Sequence, residues 1–75
     1  MKHEKLTIRL SQAEALVLFE WLARSDGTEI LKTEFPAEQK VLWSLEAQLE
    51  AQVQVFAPNY KDLLEQARAQ VDLAE

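Results

Sequence analysis

The residues of this chain whose types could do chemistry are few, and their spacing puts most of them in solvent. Glu46 and Glu50 stand four apart, and Glu20 stands four before Arg24. Charges at that spacing share one outer face of a helix. General acid–base catalysis needs a titratable group held in an apolar cleft, so these carboxylates read as a solvated surface. His3 and Glu4 offer two ligands at most, too few for zinc. There is no Cys, no Ser or Asp sits in a nucleophile motif, and the single glycine, Gly27, cannot build a phosphate-cradling loop. The expectation is a protein that is not an enzyme and takes neither a cofactor nor a metal.

Two groups are better suited to binding than to reaction. Lys5, Thr7 and Arg9 alternate with Leu6, Ile8 and Leu10, so one face of an extended segment is basic and polar while the other is dry. The second group surrounds Trp43. At about 100° per residue Trp43 leaves the main apolar stripe of its helix and falls among Gln39, Glu46, Ala47 and Glu50. A Trp on a polar helix face is a favoured interface anchor. Trp43, Ala47 and Glu50 are therefore the candidate partner-binding residues. Lys5, Thr7 and Arg9 are candidates for nucleic acid under an alternative function.

The elements that position these groups follow from periodicity. Residues 5–10 read as a strand. Residues 11–24 read as a capped helix: Ser11 and Glu14 form a capping box, and Ala15, Leu16, Val17, Leu18, Phe19, Trp21, Leu22 and Ala23 leave only a narrow polar wedge at Glu20 and Arg24. A helix that is apolar nearly all round must be covered on more than one side. Ser25, Asp26 and Gly27 end it, where glycine's tolerance of positive φ is most useful. Residues 28–35 stay open between a second strand at 29–33, a helix stub and a loop.

Pro36 suits the first turn of helix two. There Val41, Leu42, Leu45, Leu49 and Val53 form one stripe, with Gln39, Glu46 and Glu50 away from it. Phe56 either extends that stripe or belongs to the following turn. Pro58 opens helix three, in which Tyr60, Leu63, Leu64, Ala67 and Val71 share a face. The short connection predicts that helices two and three form an antiparallel hairpin. The expected fold class is α+β and mostly α: a short N-terminal strand and three helices, with helix one central.

Length and charge bound what such a fold can do. The 75 residues make one small domain, 1–75, with a marginal core. Without disulfides or a metal, a partner subunit is the remaining remedy, and a homodimer is compatible with this. The net charge is −5, which disfavours general phosphate binding, although residues 1–10 are locally basic. The longest uncharged apolar run, residues 15–19, is far below the roughly 20 residues of a membrane span. No signal peptide is visible, and the lack of Cys fits a reducing compartment, so a cytoplasmic location is expected.

Two resemblances add to this reading. Residues Leu6-Thr7-Ile8-Arg9-Leu10-Ser11, the helix after them and Ser25-Asp26-Gly27-Thr28 resemble the opening of a ribbon-helix-helix DNA-binding protein. That resemblance implies a dimer whose paired strands place Lys5, Thr7 and Arg9 in the major groove. It covers about 28 residues and stops: Thr28 is followed by Glu29, and Pro36 bars a long second helix. Across the whole chain, the blocks at residues 14–22, 36–45 and 58–64 resemble small uncharacterised bacterial proteins built of one strand and three helices. This implies a bacterial cytoplasmic protein and carries no activity.

The function expected from these observations is a small acidic, non-catalytic protein-interaction or regulatory module that self-associates or binds another protein. An inhibitor that blocks a basic partner is a narrower form of it. A ribbon-helix-helix-like DNA-binding dimer is the alternative.

Overall fold

The computed structural model describes residues 4–53 and 57–73. Three helices follow one another, α1 (Gln12–Ser25), α2 (Pro36–Glu50) and α3 (Tyr60–Leu73). His3 and Phe56, both raised by the sequence, lie outside the described residues.

The start of α1 is built as its sequence dictates. The Ser11 backbone N–H donates to Glu14 Oε1 at 2.8 Å, and the Glu14 N–H donates back to Ser11 Oγ at 3.0 Å. Two N–H groups that the first turn leaves without helical partners are thereby satisfied. The helix ends at Asp26, whose N–H reaches Leu22 O, and Gly27 follows at φ 78°. A Cβ at Gly27 would meet no neighbouring atom, so the constraint there is backbone conformation alone.

α1 is covered on two sides by two different helices. Ala15 and Leu22 pack against Leu49 of α2, with Leu18, Phe19, Leu31 and Leu42 around them. Leu16, one position and about 100° further round, packs against Leu64 and Ala67 of α3. Val53 touches both clusters. The expectation of a central helix one therefore holds. The expected hairpin does not: α1 packs on α2 and on α3, and among the described residues α2 and α3 do not pack on each other. The cause is the width of α1's apolar surface, which separates its two neighbours.

The α+β expectation is corrected to all-α. Among the described residues there is no strand, only a single isolated parallel bridge between Asp26 and Leu31. Residues 5–10 find no pairing edge among the described residues, and a strand without one leaves its N–H and C=O groups unpaired. The alternative partner, residues 29–33, is taken by a turn organised by Thr28. Its Oγ1 donates to Ser25 O at 2.6 Å and accepts from the Ile30 N–H at 3.2 Å. Residues 28–35 are thus a loop that contributes Leu31 to the core.

α2 begins with Pro36 in its first turn, and Glu38 reaches back to accept from the Glu34 and Phe35 N–H groups at 2.7 and 3.2 Å. Its orientation differs from the expected stripe. Leu42, Leu49 and Val53 face inward as anticipated, but Val41 is 66% exposed and Leu45 sits at 36%. Gln39 and Glu46 turn partly inward in their place. The helix is rotated by roughly 50° from the predicted stripe at 100° per residue, and the cause is polar: Asp26 draws Gln39 and Trp43 toward the end of α1.

Candidate functional site

The site grows from the end of α1. Asp26, the residue that stops the helix, carries a carboxylate facing the first half of α2. Gln39 Nε2 donates to its Oδ1 at 3.1 Å, and Trp43 Nε1 donates to its Oδ2 at 3.2 Å. Gln39 and Trp43 are four apart and share a helix flank, so a single carboxylate grips both. Each Asp26 oxygen is satisfied, and hydrogen bonds to an ionised acceptor are the stronger kind.

Trp43 is held but not covered. Its side chain is 56% exposed while its indole N–H is engaged. Among the described residues, neither the loop around Phe35 nor residues 4–10 cover it. Ala47 and Glu50 lie further along the same flank, and both are exposed. The three residues singled out as partner-binding are therefore brought to one open face. Lys5, Thr7 and Arg9 are also exposed, on the segment before α1.

Sequence reasoning set Gln39 and Glu46 beside Trp43 without giving them a part in the site, and it missed Asp26 altogether. Glu46 lies partly buried beside Asp26, and its Oε1 is enclosed without a hydrogen-bond partner. Burial first, then the negative charges of Asp26 and Glu50, push its carboxyl above the ordinary value of 4.5. Ser25 Oγ, in the last turn of α1, is also enclosed and unpaired. The spacing Gln39, Trp43, Glu46, Glu50 along one flank was available as a signal. The position of Asp26 opposite it was not, because that depends on the loop.

A second concave surface lies between α1 and α3. It is a groove of about 420 Å³ with Ala13, Leu16, Val53 and Ala67 in its floor and the amides of Gln12, Gln52, Gln66 and Gln70 around it. Among the described residues, no group of three or more His, Cys, Asp or Glu is placed to hold a metal ion. No helix there is long and apolar enough to cross a membrane. Comparison with protein-family models, with curated proteins and with solved structures finds no match. The chemistry open to the site is anchoring: a large amphipathic ring fixed by a hydrogen bond to Asp26 and presented among carboxylates.

Proposed function

We propose that this chain is a small acidic, non-catalytic protein-interaction module whose contact surface is the outer flank of α2, centred on Trp43 with Ala47 and Glu50. The observation that carries this reading is the state of Trp43: exposed, yet tied to Asp26. An indole fixed before binding loses little side-chain freedom when a partner covers it. Trp is also prominent among residues that dominate interface energetics. Glu46, Glu50 and Asp26 surround it with negative charge, which suits a partner with a basic rim. Self-association belongs to the same reading, because the monomer's core is small. Among the described residues only six apolar ones are buried.

The test compares capture from the native cell by the wild type and by Trp43→Ala, with both shown to be folded. Partners retained by the wild type and lost by the variant support the reading. Equal capture by both removes it.

A second reading, a DNA-binding dimer, is favoured by one observation: Lys5, Thr7 and Arg9 are all exposed at alternate positions. Against it stands α2, which opens on Pro36 and Glu38 rather than on cations that could meet phosphates.

A further inference from the structure

The groove between α1 and α3 differs in character from the rest of the surface. None of the residues lining it is charged, in a chain of which 28% are, so an ion entering it meets no counter-charge. Its floor is firm: Leu16 and Ala67 are 9% and 4% exposed and pack with Leu64. Around that floor stand four carboxamides from three parts of the chain. Gln12 opens α1, Gln52 follows α2, and Gln66 and Gln70 stand about one turn apart on α3. All four are exposed. Among the described residues none of these amides bonds to a protein group, whereas those of Gln39 and Gln48 both do. The volume, about 420 Å³, falls within the range of ligand sites.

We propose that this groove takes an extended, uncharged peptide segment of a partner protein and grips it along its backbone. The lining selects this occupant over others. A hydrocarbon chain would cover the floor but strip water from the amides and give them no partner, which is costly. A helix pairs its N–H and C=O groups internally, so it leaves the amides without backbone to bond. An extended segment brings one donor and one acceptor per residue, and each carboxamide offers both.

The side chains of such a segment alternate between two faces, so every second residue meets the floor. Ala13 and Ala67 are small and leave room there for branched apolar groups. In this mode backbone bonds supply affinity, and the floor supplies the choice of side chain. No charge takes part, so the binding is insensitive to salt. Trp43 does not line the groove, and this surface is therefore additional to the outer flank of α2.

The test selects peptides on the wild type from a displayed library of random heptapeptides and keeps those that also bind Trp43→Ala. The survivors are expected to carry apolar residues at alternate positions and no net charge. A synthetic survivor is expected to bind the wild type saturably, and equally at low and high salt. The double variant Gln66→Ala with Gln70→Ala should keep its helicity, since both positions are exposed, and should bind about tenfold more weakly, the scale of one or two lost hydrogen bonds. N-methylation of alternate backbone amides keeps the peptide's side chains and removes the donors of one edge. It is expected to weaken binding to the wild type by a similar factor. The proposal is overturned if no peptide survives selection, if the survivors are charged, or if the double variant or the N-methylated peptide binds as tightly as its parent. Octyl glucoside displacing the peptide at equal concentration would assign the groove to hydrocarbon instead. Capture that depends on Trp43 is unaffected by any of these failures, so the two proposals fall separately.

Discussion

The phenol of Tyr60 donates to Glu20 Oε1 at 2.8 Å, and the same carboxylate lies 3.8 Å from Arg24. Among the described residues this is the one side-chain hydrogen bond that ties α3 to α1. Burial, then the hydrogen bond to Glu20 and its charge, raise the Tyr60 phenol from 10 to about 12, with Arg68 opposing. A raised folded value means that the stabilisation is present below the unfolded value and is lost as pH climbs through the folded one. Tyr60→Phe is expected to lower stability by about 1.5–3 kcal/mol at neutral pH, the scale of a hydrogen bond to a charged acceptor. The gap between wild type and variant should close as pH rises from 10 to about 12. Urea melts across that interval measure it.

Glu46 gives the same sign at the acid end. Its carboxyl is held above 4.5 by burial and by Asp26 and Glu50. The folded chain therefore binds a proton more tightly than the unfolded chain, and stability contributed by this group falls as pH rises above 4.5. Glu46→Gln keeps the shape and removes the charge. It is expected to raise the denaturation midpoint at neutral pH and to flatten the wild type's loss of stability just above 4.5. A variant less stable than the wild type at neutral pH would contradict the burial of that charge.

Core substitutions rank the faces of α1. Leu22, at 2% exposed, is more enclosed than Leu18 or Phe19, which pack at the edge of its cluster. Leu22→Ala is expected to cost about 2–5 kcal/mol, and Leu18→Ala less. In a domain of this size the first change can unfold the chain outright, so the measurement is the order of midpoints from thermal melts of the two variants. A Leu22→Ala midpoint at or above that of Leu18→Ala would contradict the packing of α2 on α1.

The sequence showed much of α1, because its signals are local. Ser11 and Glu14 act over three residues, Gly27 over one, and the all-round apolar surface implied two flanking neighbours. The strand at 5–10 has a clear alternation, but pairing needs an edge, and alternation does not supply one. The rotation of α2 escaped because apolar periodicity alone weighs Val41 and Leu45 equally with Leu42 and Leu49. What decides between them is the grip of Asp26 on Gln39 and Trp43, a contact across a loop. Trp43 was found because it departs from its stripe. Asp26 was not, because nothing near it in sequence marks it as a partner.

The second functional reading separates from the first by its salt dependence. A DNA-binding ribbon that uses Arg9 and Thr7 should bind some sequence from a selected duplex pool and lose affinity steeply as salt rises, through counterion release. The acidic interaction module is expected to show no saturable duplex binding in the micromolar range at physiological salt. Tight binding lost on Arg9→Ala and Thr7→Ala would replace the preferred reading with the alternative.

The decisive substitution for the proposed surface is Trp43→Ala. Trp43 is 56% exposed, so removing it should leave the fold standing, while association weakens by upwards of about 1 kcal/mol. In a Trp21→Phe background its fluorescence reports Trp43 alone, and that emission should shift to the blue as a partner covers the ring. Asp26→Asn tests the tether. An amide still offers one acceptor oxygen, but it loses the charge that strengthens both bonds, and its own N–H₂ cannot accept from the indole or from Gln39. This variant should weaken association less than Trp43→Ala does and should broaden the range of indole environments in the free protein. If Trp43→Ala lowers stability and leaves association untouched, the ring is part of the fold and the outer flank of α2 is not the contact surface.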